Sequence, residues 1–206
     1  MRRLALALLA AALLSGCASS SIPRHAAVFS PTEPPTAPPT PTPDPASTPV
    51  ATADASAWTI VAPDGEAFSV KMPGAAKSTT STITTPGGDA TNTVWAFNDD
   101  ANRAFAVSVA KFKTGAFTGA SAKSILDLAT ASIVGATAGA TLASQSDVTV
   151  GGNTGRAITF GNSKTQIQCE VFIVGDSIVG ASLAFPAGGT DGGVAAPFFA
   201  SFQLTA

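Results

Sequence analysis

The sequence predicts an α+β fold in which an antiparallel sheet of six or seven strands carries helices packed on it. Beyond the first quarter of the chain, short segments alternate apolar and polar side chains and are separated by turn residues, as strands are. One later segment, 119–137, changes to the helical period. Gly161-Asn162 and Gly175-Asp176 are typical of two-residue hairpins, so we expect the strands around them to pair antiparallel.

The predicted strands begin at 68–72, where apolar residues occupy every second position until Pro73-Gly74 ends the run. A β-branched run at 79–85 predicts the second strand. The remaining strands are predicted at 93–97, 103–112, 142–150, 155–160, 165–174 and 177–185.

The segment 119–137 predicts one amphipathic helix laid against the sheet. Thr118 and Ser121 are both candidates for its N-cap. Lys123 and Asp127 lie one turn apart on its polar side, where they can form an ion pair. The apolar stripe consists of Ala122, Ile125, Leu126, Ala129, Ile133 and Ala136.

The N terminus predicts a lipoprotein signal peptide, residues 1–16. Arg2 and Arg3 precede a Leu/Ala run, 4–14, of roughly half the length that a membrane-spanning helix needs. The next tetrapeptide, Leu-Ser-Gly-Cys ending at Cys17, matches the lipobox of bacterial lipoproteins. We therefore expect Cys17 to carry acyl chains such as palmitate, which anchor the chain to the cell membrane or outer membrane, facing outside the cytoplasm. The alternative is an ordinary secretory signal followed by a chance cysteine.

Residues 17–56 predict a disordered tether between the lipidated cysteine and a globular domain, 57–206. The tether is rich in proline and threonine, and its apolar content is too low to offset the entropy of ordering. Such a segment is expected to be an extended, polyproline-like spacer. It either lets the domain work through or beyond a layer near the membrane, or merely clears the surface.

Residues 58–74 combine a tryptophan, a Pro-x-Gly turn, Phe-Ser-Val and Met-Pro-Gly, in that order. Residues 150–156 form a glycine turn followed by arginine, and 198–204 a phenylalanine-rich helix that runs into a short strand. Together they resemble bacterial PsbP-like lipoproteins and secreted domains over nearly all of 58–206. The resemblance implies an α/β/α sandwich around an antiparallel sheet. It implies no activity, because members of the family are mostly non-catalytic accessory or partner-binding domains.

The residues that the predicted domain lacks limit its chemistry. The single histidine, His25, lies in the tether, so a Ser-His-Asp or Cys-His nucleophile and a histidine zinc site are excluded from the domain. Lipidation uses Cys17 and leaves Cys169 without a disulfide partner. Alternation with Ile167 and Val171 predicts that Cys169 packs in the core, with a reactive thiol as the alternative. We expect no catalytic residue, metal or cofactor. A net charge of -2 with scattered basic residues predicts no nucleic-acid partner.

Two motifs have both a structural and a functional interpretation. Asp99-Asp100 is typical of a hairpin turn, and the alternative is a calcium or acid/base loop, for which further regularly spaced ligands are missing. The cluster Gly151-Gly152-x-x-Gly155 lies between two predicted strands and opens no helix. It therefore predicts a turn, not a dinucleotide-binding loop.

The aromatic residues are the remaining candidates for a binding surface. Trp58 and Trp95 line a ligand groove or pack in the core, and the alternation around Trp95 favours the core. Residues 194–202 predict a terminal helix that contains three phenylalanines, which cannot all share one helical face. Phe198 and Phe199 are therefore possible partner contacts.

These observations favour a membrane-anchored, non-catalytic lipoprotein that acts as an accessory or partner-binding domain at the cell envelope. Its partner would be an envelope protein or lipid. The alternative is a carrier of lipid or of another small apolar ligand. A deep pocket lined by Trp95, Phe105 and Ile133 would favour the carrier. A filled core with an exposed aromatic patch would favour the binding domain.

Overall fold

The computed structural model describes residues 54–85 and 88–205, without the side chains of residues 84, 85 and 88. The predicted signal peptide, the lipidated Cys17, His25 and nearly all of the predicted tether lie outside the described residues. The strands in chain order are β1 (Thr59–Val61), β2 (Phe68–Met72), β3 (Lys77–Thr85), β4 (Gly88–Asn98), β5 (Ala104–Lys111), β6 (Thr141–Val150), β7 (Asn153–Gly161), β8 (Thr165–Val174), β9 (Ser177–Pro186) and β10 (Gln203–Leu204). The helices are α1 (Ala122–Ala136) and α2 (Ala195–Ser201).

The main sheet has seven strands in the order β3-β4-β5-β9-β8-β7-β6, and every neighbouring pair is antiparallel. The predicted antiparallel sheet is confirmed. The predicted strand at 68–72 also forms, but it pairs with β1 and β10 in a separate three-stranded sheet. In this small sheet Phe68, Val70 and Met72 all point into the core and are at most 1% exposed.

The two faces of the main sheet are covered by different elements. The face that carries Phe105, Val107 and Val109, here called the front face, packs against α2 and the small sheet. The opposite or back face carries Ile158 and Cys169 and packs against α1. The layers are therefore α1, the main sheet, and α2 with the small sheet. This agrees with the predicted α/β/α arrangement.

Aromatic rings form a large part of the core between the front face and the elements that cover it, since six of its fifteen buried residues are phenylalanines. The rings of Phe105 and Phe198 meet edge to face with centroids 5.4 Å apart. Those of Phe172 and Phe202 are stacked at 5.7 Å. Such contacts fix the position of α2 because edge-to-face and stacked rings have preferred geometries.

The helix α1 begins at a side-chain cap. Of the two predicted candidates, Ser121 is the cap, and its hydroxyl accepts a hydrogen bond from the backbone N–H of Ser124 at 3.1 Å. Leu126, Ala129 and Ile133 are at most 4% exposed and form the face that packs on the sheet. The predicted apolar stripe is confirmed at its centre, whereas its two end alanines are exposed.

A buried arginine fixes α1 to the back face. Arg156 on β7 is 5% exposed, and its Nη1 lies 2.6 Å from Oδ1 of Asp127 on α1. The predicted pair of Lys123 and Asp127 also forms, at 2.7 Å. Hydrogen bonds from Lys123 and then from Arg156 lower the pKa of Asp127. Arg156 also approaches Asp147 on the edge strand β6 at 3.4 Å.

The glycine motif between β6 and β7 is a turn, as predicted. Gly151 and Gly152 connect the paired residues Val150 and Asn153, with φ of 56° and 77°. Two consecutive positive φ values are those of the tight hairpin turn that favours glycine.

The two hairpin signals that flank β8 have different outcomes. Gly175-Asp176 is a two-residue connection, since Val174 pairs directly with Ser177. The connection at Gly161-Asn162 is longer than predicted, because β8 resumes only at Thr165. The reason is the side chain of Asn162, whose Oδ1 accepts hydrogen bonds from the backbone of Lys164 at 2.9 Å and Thr165 at 3.0 Å.

Candidate functional site

The front face is covered only over part of its area. Residues that are directly paired across antiparallel strands share a face, so the register defines rows of neighbouring side chains. One row runs from Val148 through Gly155 and Phe172 to Val179 and lies among the packed core. In the two rows beyond it, the residues on β6 and β8 are polar and those on β7 are Ala157 and Thr159. We call these two rows the open end of the front face. Their members are Ser146, Ala157, Glu170 and Ala181 in one row, and Ser144, Thr159, Gln168 and Leu183 in the other.

The open end and α2 together form a groove of about 180 Å³. On the front face its lining consists of hydroxyl, amide and carboxylate side chains together with Ala157, and α2 contributes one aromatic ring. We call it the polar groove, defined by Ser144, Ser146, Ala157, Thr159, Gln168, Glu170 and Phe199.

Glu170 is the charged group of the polar groove. Its side chain is half-buried, and no described residue donates a hydrogen bond to its carboxylate or forms an ion pair with it. Burial raises the pKa of Glu170, and no cation in the lining counters the effect. A carboxylate that loses water without gaining a partner is destabilising, so a bound cation or hydrogen-bond donor would be favourable there.

The two phenylalanines predicted as partner contacts lie in different environments. Phe198 is 0% exposed and packs against Phe105, so the expectation that Phe198 reaches a partner is wrong. It is buried because α2 turns this position directly toward the sheet. Phe199 is half-buried at the rim of the polar groove, with its ring 5.0 Å from that of Phe198. A contact between Phe199 and a partner stays a prediction.

The tryptophans pack on the front core. The ring of Trp58 meets Phe105 at 5.9 Å, and that of Trp95 meets Phe68 at 5.2 Å, both edge to face. The core interpretation of Trp95 is confirmed. Trp95 and Phe105 pack on the front face, whereas Ile133 packs on the back face, so these three side chains do not line a common pocket.

A second depression lies where α1 begins, beside the turn between β6 and β7. It encloses about 340 Å³ and is open to solvent. Phe117, Ile125 and Ile173 supply its larger apolar side chains, and Asn153 and Thr154 supply polar ones. We call it the apolar cleft. Its volume is at the lower end of the range of ~300–1,000 Å³ that is usual for small-molecule sites.

Cys169 lies directly behind the polar groove with its side chain on the back face. It is 2% exposed, and burial raises the pKa of its thiol to about 12. The thiol is therefore protonated at neutral pH and packs as a small apolar group. The predicted core position of Cys169 is confirmed.

The acid pair between β4 and β5 has the structural role that the sequence favoured. Asp99 Oδ1 accepts hydrogen bonds from the backbone of Ala101 at 3.0 Å and Arg103 at 2.9 Å. Its Oδ2 lies 2.7 Å from Nη2 of Arg103. Asp100 points to solvent. These bonds close the turn and occupy the carboxylate of Asp99 with partners from its own loop.

Within residues 54–85 and 88–205, no three His, Cys, Asp or Glu side chains lie close enough together to hold a metal ion. Neither helix in the described part of the chain is long and apolar enough to cross a membrane.

No protein-family model and no curated protein matches the chain. Among solved structures, it is similar to the cyanobacterial PsbP protein CyanoP from Synechocystis sp. PCC 6803, with a TM-score of 0.45 and 9% identity, covering 71% of this chain and 92% of that one. It is also similar to PA94, a protein of unknown function from Pseudomonas aeruginosa, with a TM-score of 0.36 and 6% identity, covering 63% and 83%. At these identities the likeness concerns the fold alone. The layers of the structure agree with the PsbP-like sandwich that residues 58–74, 150–156 and 198–204 led us to expect.

Proposed function

We propose that this chain is a lipid-anchored, non-catalytic protein that binds a partner at the cell envelope through the polar groove. The observation that carries the proposal is the half-buried Glu170, which has no partner among the described residues and lies in one groove with Phe199. Ionisable groups that are perturbed by burial in a cleft are enriched at functional sites.

The composition of the groove supports binding of a protein or a polar ligand more than it supports catalysis. Its polar groups on β6, β7 and β8 are hydroxyls, one amide and one carboxylate, held on a rigid sheet. An aromatic ring beside hydrogen-bonding side chains is typical of the centre of a binding surface. A general acid/base needs a second group with a matched role close by, and the residues that line the groove supply none.

The N-terminal sequence supplies the location in this proposal. The lipobox at Cys17 would attach the chain to a membrane, and the Pro/Thr-rich segment would hold the domain away from the lipid surface. A domain held in this way meets envelope components at a high local concentration. A weak groove contact can then be sufficient for function.

A carrier of a small apolar ligand is the second candidate, and the apolar cleft is the observation that favours it. Phe117, Ile125 and Ile173 offer an apolar lining, but about 340 Å³ holds only a small molecule or part of an acyl chain.

Crosslinking at two adjacent positions tests the proposal. A photo-reactive residue replaces Ser146, which lies on the front face in the groove, or Gln145, which is exposed on the back face of the same strand. We expect a defined protein adduct from position 146 in the intact cell, its loss in the Glu170→Gln variant, and no such adduct from position 145. The Cys17→Ala variant, which cannot be lipidated, should lose the adduct as well.

Two results would count against groove binding. Equal adducts from positions 145 and 146 would show that contact there is non-specific. An apolar molecule that co-purifies with the chain and is displaced by Ile125→Trp, without any groove adduct, would establish the carrier instead.

A further inference from the structure

The polar groove is built to receive a positively charged group, and we propose that this group is the side-chain ammonium of a lysine on the protein partner. The inference rests on the proposed function and adds the chemistry that the groove recognises. It comes from three properties of the lining: an uncompensated carboxylate, an aromatic ring at the rim, and a surplus of hydrogen-bond acceptors.

The negative charge of the groove comes from one group, the carboxylate of Glu170, which is surrounded by uncharged side chains. Glu170 faces seryl, alanyl, threonyl and glutaminyl side chains from β6, β7 and its own strand, and Phe199 from α2. Cys169, which also borders the groove, is titratable as well, but its side chain lies on the back face. Among the residues that the structure describes, no lysine or arginine lines the groove. A cation that enters from outside would therefore restore the electrostatic partner that this carboxylate lacks.

Phe199 adds an attraction that is specific for cations. A cation beside the face of an aromatic ring interacts with the ring quadrupole, and more strongly where water is excluded. Phe199 is half-buried and borders the same space as Glu170. The aromatic ring and the carboxylate thus favour the same kind of group.

The remaining polar side chains match an ammonium better than a guanidinium. An ammonium is a compact charge with three donors that point in different directions, whereas a guanidinium is a planar fork suited to paired acceptors. The hydroxyls of Ser144, Ser146 and Thr159 and the amide oxygen of Gln168 lie in two rows around Glu170. They offer separate acceptors at different positions along the groove. A groove of about 180 Å³ leaves room for the end of one side chain.

A protein is the source that the surroundings favour. A lipid amine would bring acyl chains, and the front-face residues of β6, β7 and β8 that line the groove are polar except for Ala157. A lysine side chain brings four methylenes, which can lie along Ala157 and the ring of Phe199.

The test is a titration of the full chain carrying Cys17→Ala with small-molecule probes. Binding is monitored through the backbone amide NMR signals of the groove residues. The probes are Nα-acetyl-lysine N-methylamide and its norleucine analogue, which has the same chain without the ammonium. We expect the lysine probe to shift the signals of Ser146, Gln168 and Glu170 with an affinity on the order of millimolar. The norleucine probe should leave them unchanged.

Matched variants locate the effect. Glu170→Gln keeps the shape and removes the charge, and we expect it to weaken lysine binding about tenfold or more. Phe199→Leu should weaken it severalfold. Asp100→Asn removes one charge from the exposed turn between β4 and β5 and should leave binding unchanged.

The outcomes separate this inference from the proposed function. Equal binding of both probes, or lysine binding that survives in Glu170→Gln, would overturn the ammonium site. If position 146 captures a partner but the lysine probe does not bind, the partner function stands and the ammonium inference is wrong. If the probe binds and no partner is captured, the ammonium site stands and the partner function is wrong. Glu170-dependent binding to phosphatidylethanolamine vesicles, without a protein adduct, would overturn the choice of lysine as the source.

Discussion

Glu170 and Phe172 lie two residues apart on β8 and point to the same face of the sheet, yet one is half exposed to the polar groove and the other is 0% exposed in the core. Phe172 is covered by the ring of Phe202, whereas the row through Glu170 continues to Ser146 on the edge strand. Along β8, the boundary between the packed part of the front face and its open end therefore lies between Phe172 and Glu170, where an aromatic side chain gives way to an acidic one. The packed row consists of Val148, Gly155, Phe172 and Val179, whereas most of the open-end residues on β6, β7 and β8 carry hydroxyl, amide or carboxylate groups.

The two regions affect stability with opposite sign. Burial of apolar rings at the covered end stabilises the fold by ~25 cal/mol for each Å² removed from water. Partial burial of the unpaired Glu170 at the open end opposes folding at neutral pH. A site that lowers the stability of the fold is a candidate for binding, and substitutions in both regions test the comparison.

The largest effect is expected for Phe198→Ala. This side chain is fully buried against Phe105, so the substitution removes ring contacts and leaves a cavity. We expect a loss of ~3–5 kcal/mol in the free energy of unfolding, measured by urea denaturation. The adjacent Phe199→Ala should cost only about 1 kcal/mol, since Phe199 is half-buried at the rim. Equal losses of stability in the two variants would show that Phe199 is packed as tightly as Phe198, so that the packed region would include the whole of α2.

The next effect is expected for Gly155→Ala, in the row that carries Phe172. A Cβ there would lie 2.6 Å from the carbonyl oxygen of Val171 and would contact the ring of Phe172. We expect overpacking to cost ~1–3 kcal/mol in the same measurement. Gly135→Ala in α1 is the control, because a Cβ there meets no atom within 4 Å. It should stabilise the chain by ~0.5–1 kcal/mol through helix propensity. A neutral Gly155→Ala would show that this row is loosely packed.

The smallest effect is expected for Glu170→Gln, and it depends on pH. Burial raises the pKa of Glu170 above its usual 4.5, so the folded state binds the proton more tightly than the unfolded state. Stability is therefore lost as the pH rises from about 4.5 through the raised pKa. At pH 7 the glutamine variant should be more stable by on the order of 0.5 kcal/mol, a usual size for a partly exposed position.

Below about pH 4 the advantage of Glu170→Gln should vanish, because the carboxyl is then protonated in both states. Thermal unfolding between pH 3 and 7 measures the difference, with Asp100→Asn as the charge control. A variant that is less stable than wild type at pH 7 would mean that Glu170 is paired in the folded protein.

The sequence predicts the strands and α1 well because their signals are local. Alternation identifies 68–72 and 165–174, and the helical period identifies the stripe of α1 together with Ser121 as a possible cap. The predicted two-residue length of the turn at Gly161-Asn162 was wrong. The glycine and asparagine pattern does not reveal the two hydrogen bonds that the Asn162 side chain accepts in a longer turn.

The site depends on contacts that local patterns do not contain. The polar groove needs the register of β6, β7 and β8 and the position of α2, so Glu170 had no distinguishing signal beyond its place in an apolar strand. Phe198 and Phe199 were equivalent in the sequence because both belong to one short aromatic run. Only the direction in which α2 meets the sheet separates them. In the sequence, Arg156 is recognisable only as the arginine that follows the glycine turn. Its ion pair with Asp127 on α1 is a tertiary contact that the local pattern does not contain.

The order of strands in the main sheet also has a consequence for folding. β3, β4 and β5 form one meander and β6, β7, β8 and β9 another, so a single seam, β5 against β9, joins them. Within each meander the pairs are close in sequence, but the seam joins residues as distant as Ala104 and Ala184. Closing so long a loop is entropically costly, and we expect the seam to form after the hairpins. A chain cut between residues 113 and 120 should then yield two fragments that reassemble along that seam.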